Sequence, residues 1–215
     1  MTIAIIKPHV ILETPVAHIV DYMKLLEVAG RTCYKSEERI TEGSADKFVG
    51  GIVRRGHESV IEHCTIMYRF IMSRAASHQL VRHRICGFSQ ESQRYCDYGD
   101  LGFQIILPPS IADTPMAAPY IEQCAQAYDM YNQLRDRGIP PEDARFVLPN
   151  ASKTELMMST NLRQWRHVIR ERGLNKHAQW EIRQLMQDVL YELNNYLPVI
   201  FGDLVEELAA MKGKS

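Results

Sequence analysis

The sequence predicts an α+β fold, with mixed helices around a small, mainly antiparallel sheet, in one domain over residues 1–215. Three observations carry this. Stretches of strand and helix character are mixed without a regular strand–helix–strand alternation, which disfavours a doubly wound parallel sheet. Pro and Gly punctuation is short, and no internal repeat or low-complexity linker divides the chain. A chain of 215 residues that is 46% hydrophobic and 24% charged can bury one ordinary core.

The elements follow in order. Residues 2–6, TIAII, read as a short buried strand. Thr14-Pro15 is a cap with a first-turn proline, and Gly30 marks a helix stop. Between them Val16, Ile19, Val20, Met23 and Leu26 share one helical face. Ser44 caps a second helix with Phe48, Ile52 and Val53 inward, ending at Gly56. Residues 64–72 are rich in β-formers and put Ile66, Tyr68, Phe70 and Met72 on one side. Ser73 opens a helical stretch to about Arg84, with Gln79 and His83 on one face and Arg82 adjoining. Gly87 ends it, leaving 87–94 as a loop. Thr114-Pro115 opens a long helix that stops at Gly138. Pro140-Pro141 starts a short one carrying Ala144 and Arg145. Leu156 to Ser159 read as a strand, and Asn161 as the cap of the next helix. Residues 177–195 and 198–211 form two more amphipathic helices.

Composition excludes some classes of function. A net charge of -1 and a pI near 6.7 argue against general binding to nucleic acid or membrane surfaces. The apolar runs are too short to span a bilayer. The N-terminus lacks the basic region and cleavage site of a signal peptide. Five cysteines without paired spacing read as reduced thiols of a cytoplasmic protein.

Against that neutral background, His78 to Tyr95 is locally cationic. It holds Arg82, His83, Arg84 and Arg94 among the amides and hydroxyls of Gln79, Ser89, Gln90, Ser92 and Gln93, with one carboxylate, Glu91. Guanidiniums grip phosphate or carboxylate at two points, and amides can read a heterocycle edge. The plain alternative is a solvated basic face. Other segments carry weaker signals. Gly56-His57-Glu58-Ser59-x-x-Glu62-His63 lacks a third ligand suitably placed for a metal, and no metal site is expected. Ala144-Arg145-x-x-Leu148-Pro149 offers one arginine. Asn161-Leu162-Arg163 is followed by His167 and Arg172. His177 to Ile182 read equally well as a packing helix.

The spacing Arg82-His83-Arg84, seven residues, then Ser92-x-Arg94 resembles the signature of flavin-dependent thymidylate synthases. The resemblance extends from about His57 to about Glu181. It implies that His57, Ser59, Arg82, His83, Arg84, Gln90, Asn161, Leu162, Arg163 and His167 contact FAD, with His177 nearby. It implies that Gln79, Leu80, Val81, Arg82, Gln90, Glu91, Ser92, Gln93, Arg94, Arg145 and Arg172 contact dUMP. The reaction implied is conversion of dUMP to dTMP with methylenetetrahydrofolate as carbon donor and NADPH as reductant. A homotetramer with shared active sites is implied as well. Departures from the pattern are Gly87 for a serine, Gln90 for a glutamate, His78 for an arginine and His167 for an asparagine.

The chemistry suits these residues. Uracil C5 is weakly nucleophilic, and the sequence offers no clear cysteine to activate it by addition at C6. A guanidinium beside N3 and O2 stabilises negative charge on the ring instead, and the resemblance gives this catalytic role to Arg172. Ser92 has no adjacent base and reads as a ligand rather than a nucleophile. No Rossmann glycine pattern is present. Two rival readings use the 82–94 cluster: a nucleic-acid-binding module, and a phosphoesterase with His83 as general acid/base.

Overall fold

The computed structural model describes residues 3–98 and 102–213. Among the described residues, six strands fall in two sheets. A two-stranded pair joins β1 (Ala4–Ile5) to β5 (Gln104–Ile105) in parallel. A four-stranded sheet has the order β2-β3-β6-β4, from His9–Leu12, Thr65–Ser73, Lys153–Asn161 and Gly87–Gln90. Its registers are antiparallel. The N–H of Arg74 donates to Ser152 O and that of Leu162 to Cys64 O, so β3 and β6 run in opposite senses. The N–H of Glu91 donates to Glu155 O and the hydroxyl of Thr160 to Ile85 O, which sets β4 against β6 in the same way. The mixed fold with a small antiparallel sheet is as expected. The β1–β5 pair adds a parallel element that the sequence did not suggest.

Alternation explains β3 and β6. Ile66, Tyr68, Phe70 and Met72 are fully buried, and β6 buries every second residue. Two predictions for strands need correction. The strand at residues 2–6 is not buried: Ala4 and Ile5 are exposed, and Thr2 lies outside the described residues. Residues 87–90 are a strand rather than a loop. Gly87 permits this, since a Cβ there would come within 2.9 Å of Ser159 Oγ on the neighbouring strand.

Helices flank the sheets: α1 (Val16–Ile19), α2 (Tyr22–Thr32), α3 (Ser44–Arg54), α4 (Arg74–Leu80), α5 (Pro109–Ala112), α6 (Ala117–Asp136), α7 (Pro141–Ala144), α8 (Leu162–Val168), α9 (Trp180–Tyr196) and α10 (Pro198–Lys212). The single helix expected from Pro15 to Gly30 is two. Asp21 bonds back to His18, tightening the chain between α1 and α2, and Val16 and Val20 stay exposed. Thr14 caps nothing; its hydroxyl accepts the Met67 N–H at 2.8 Å. Gly30 sits inside α2, where a Cβ would come within 2.7 Å of the Phe48 ring. It is a packing glycine, not a stop. Ser44 is the first residue of α3, and Gly43 precedes it as cap. α3 and α6 end as expected. Gly56 and Gly138 take φ of 74° and 80°, and the residue after each bonds back into the last turn.

The chain forms two compact units, each stitched from separate segments. The first comprises Met1–His9, Phe70–Arg82 and Ser89–Leu156; the second comprises Val10–Arg69, His83–Phe88 and Met157–Ser215. The core of the first unit gathers Tyr98, Phe103, Ile105, Tyr128 and Tyr131, with Phe103 and Tyr128 stacked at 5.0 Å. In the second, Trp165 is fully buried, packs edge-on to Tyr68 and donates its Nε1–H to Ile66 O.

Candidate active site

In the second unit, the Asn161 side chain accepts the Gln164 N–H at 2.8 Å and starts α8 as the sequence predicts. The helix then widens into a π-helical turn over Ile169–Leu174. Such turns recur at functional sites. Gly173 packs against Met186, where a Cβ would come within 3.1 Å, and its carbonyl accepts the Gln187 amide at 2.9 Å. The backbone beside Arg172 is thereby pinned. The Arg172 Nε–H donates to His83 Nε2 at 3.0 Å, across 89 positions of sequence. His83 is buried and lies edge-on to His167 at 5.9 Å. Burial, then the Arg172 charge, then His167, push its pKa down to about 4. The ring is neutral, and its proton sits on Nδ1 if Nε2 accepts.

A cleft of about 580 Å³ in this unit is lined by Asn161, Arg163, Gln164, His167, Ile85 and neighbouring charged residues. Arg163 pairs with Glu62 at 2.5 Å on its wall. Beneath it Arg166 is almost wholly buried. It binds Glu58 at 3.0 Å, Asp203 at 2.7 Å and the Ile200 carbonyl. The Arg166 charge holds the Asp203 carboxyl below its ordinary value despite burial. His57 and Ser59 do not line this cleft. They line a second one of about 710 Å³ with Arg31, Tyr34, Lys35, Phe48 and Arg55. Five of the residues expected at FAD in this unit thus divide between two clefts, His57 and Ser59 in one and Asn161, Arg163 and His167 in the other. Leu162 is fully buried, and its N–H donates to Cys64 O. Arg84 and His177 are exposed.

The first unit holds the residues expected at dUMP, except Arg172. Gln79 lies on α4, which the Ser73 side chain caps at the Ala76 N–H. That helix stops at Leu80, so Arg82 and His83 lie beyond it and the shared face predicted for Gln79 and His83 does not exist. Leu80 is buried, Val81 half-buried and Arg82 exposed. The Gln90 amide donates to Ser77 Oγ at 2.9 Å and Thr154 Oγ1 at 3.2 Å. Glu91 turns inward, accepting from the Tyr98 hydroxyl at 2.7 Å and Lys153 at 3.3 Å. Gln93 is buried, and Ser92 Oγ accepts the Arg94 N–H at 3.3 Å. Arg94 and Arg145 converge: Arg94 Nε donates to the Glu142 carboxylate and Arg145 Nε to the Glu142 carbonyl, each at 3.0 Å.

Sequence reasoning missed Arg166 as a buried hub, and Glu142 and Lys153 as partners of expected site residues. A signal existed for the first. Glu58 and Glu62 are four apart, and Arg163 and Arg166 are three apart, so one helical face of each can match the other. Among the described residues, no group of three or more His, Cys, Asp or Glu could hold a metal ion.

Comparison with known proteins decides the family. The family model described as thymidylate synthase complementing protein matches residues 16–199. A flavin-dependent thymidylate synthase of Geobacter sulfurreducens is 39% identical over 194 residues, covering 86% of this chain and 83% of that one. This chain belongs to the flavin-dependent thymidylate synthase family. A second such synthase, from Pyrococcus furiosus, is 36% identical over 178 residues, covering 81% of this chain and 72% of its own. The fold of this synthase matches a solved structure of thymidylate synthase X from Helicobacter pylori with FAD and dUMP. The TM-score is 0.74 at 22% identity, over 94% of this chain and 99% of that one. Membership makes the chain a methyltransferase-type enzyme.

Proposed function

We propose that this enzyme converts dUMP to dTMP, taking the carbon from methylenetetrahydrofolate and the reducing equivalents from NADPH by way of FAD. The observation that carries the reading is the convergence of Arg94 and Arg145 on Glu142. Arg145 bonds the Glu142 carbonyl within its own turn, and Arg94, from 48 positions away, bonds the Glu142 carboxylate, which brings the two guanidiniums to one residue in the unit that holds the other expected dUMP contacts. Two guanidiniums at one place suit a phosphate. Gln90, Gln93 and Gln79 supply amides for the base and sugar. The Glu91 side chain, tied to Tyr98 and Lys153, contributes through the loop it holds.

The donor set of the second unit fits FAD. Asn161, Gln164, Arg163 and His167 wall one cleft, and Ser59, His57, Arg31 and Arg55 another. Both offer cations and neutral donors of the kind a pyrophosphate and a flavin ring need. Reduced flavin, when bound, supplies the hydride. Arg172 polarises the uracil ring and stabilises the negative charge that develops as C5 attacks the carbon donor. The division of these residues between two clefts is in keeping with a pocket completed by other copies, and the reading includes a homotetramer and a cytoplasmic setting. The phosphoesterase reading loses its base, because His83 is buried and its Nε2 is engaged by Arg172.

The test is a visible spectrum of protein loaded with FAD, then anaerobic NADPH with and without dUMP. The expected result is a band near ~450 nm that bleaches faster with dUMP present, as cofactor and nucleotide sharing one site require. A protein that takes up no flavin overturns the reading.

A further inference from the structure

We infer that His83 acts through Arg172: its neutral imidazole is the acceptor that aims the guanidinium at the nucleotide base. His83 is then a positioning residue of the methylation site, beyond the flavin contact that the family resemblance implies. The inference rests on the proposed role of Arg172 in polarising the ring.

An arginine side chain has several rotatable bonds, and each must be stilled if its fork is to meet a planar base edge. Here the constraints come from both ends. The backbone at Arg172 lies in the π-helical turn beside Gly173, which is packed on Met186 and bonded to Gln187. The far end is held by the bond from Nε to His83 Nε2 at 3.0 Å. The contact engages Nε, the nitrogen at the root of the fork, and so restrains the plane of the whole guanidinium. His83 is itself immobilised, buried and edge-on to His167. The titratable groups that act on the His83 ring are Arg172, His167 and Glu171. Burial first, then the two basic neighbours, oppose its protonation and Glu171 only partly offsets them, so the acceptor lone pair persists at neutral pH. A protonated ring would have no lone pair to offer and would repel the guanidinium.

The experiment is calorimetric titration of dUMP into FAD-saturated enzyme for the parent and four variants: His83→Leu, His83→Gln, Arg172→Ala and His83→Leu/Arg172→Ala. A double-mutant cycle isolates coupling between the two side chains. Arg172→Ala should weaken dUMP binding by about 30-fold and His83→Leu by about 10-fold, the range expected for losing or misaiming one charged contact. The double variant should bind no worse than Arg172→Ala alone. His83→Gln carries an acceptor near the Nε2 position, is neutral at every pH, and should bind within about threefold of the parent. Additive losses, or an unaffected His83→Leu beside an impaired Arg172→Ala, overturn the inference while leaving the role of Arg172 intact. If Arg172→Ala binds dUMP normally, the role of Arg172 falls and the inference with it. The imidazole ¹⁵N spectrum of the unmutated enzyme needs no substitution at His83. Nε2 should be unprotonated and should shift when Arg172 is replaced by alanine. A proton on Nε2 overturns the inference.

Discussion

At the scale of single residues, His83 shows how burial turns a common base into a fixed acceptor. Its pKa falls from 6.5 to about 4 in the fold. Between those values the unfolded chain binds more protons than the folded one, so stability rises with pH across that window. It is fully present above about pH 6.5 and lost as pH falls towards 4. The shift corresponds to about 3 kcal/mol at most. Urea unfolding midpoints should therefore drop between pH 6.5 and 4, and His83→Gln should flatten part of that slope. Equal slopes in the two proteins would contradict the burial of a neutral ring. The arginines, histidines and amides that could meet an anion were legible residue by residue. Which arginine is structural was not. Arg163, Arg166, Arg170 and Arg172 look alike in sequence, but only Arg166 is nearly wholly buried, between Glu58 and Asp203. That distinction depends on tertiary partners from distant segments. Arg166→Leu should cost about 3 kcal/mol, since it removes the buried guanidinium from two carboxylates and leaves Asp203 with Arg170 at 3.4 Å and Glu58 with Arg163 at 3.8 Å. Chemical denaturation reads this directly, and a change below about 1 kcal/mol would place the pair among weak surface bridges.

At the scale of elements, periodicity located what local physics controls. The alternation in residues 64–72, the cap at Asn161 and the glycine stops at Gly56 and Gly138 all appear where the pattern puts them. The failures have a common cause in neighbours that the pattern does not show. Gly30 looked like a stop because glycine ends helices, yet Phe48 of α3 occupies the space a Cβ would need. Gly87 looked like a breaker, yet it lets β4 approach Ser159. Gly30→Ala accordingly tests packing, not propensity. Alanine favours a helix interior by about 1 kcal/mol over glycine, while forcing apart two packed helices costs 1–3 kcal/mol, so the overpacking term should win. The expected outcome is a melting temperature several degrees lower, at about 2–4 °C per kcal/mol for a chain of this size. A higher melting temperature would mean that α2 and α3 relax at little cost.

At the scale of the whole molecule, the residues proposed to hold flavin are dispersed. His57 and Ser59 line one cleft of the second unit; Asn161, Arg163 and His167 line another. Arg82 and Gln90, also expected at FAD, belong to the first unit. No sequence pattern could reveal this partition, because motif spacing reports which residues a ligand meets and not which copy of the chain supplies them. If one FAD must touch residues from several copies, flavin affinity and assembly are linked, and each stabilises the other by mass action. Diluting the FAD-loaded enzyme through the range where it dissociates should release flavin in step with the fall in mass. Excess FAD should shift the dissociation to lower protein concentration. Sedimentation velocity followed at both 280 and ~450 nm reads the two quantities in one run, the second wavelength reporting the flavin alone. Flavin that stays with a monomeric species at full stoichiometry would show that one chain binds it unaided, and the shared pocket would have to be abandoned.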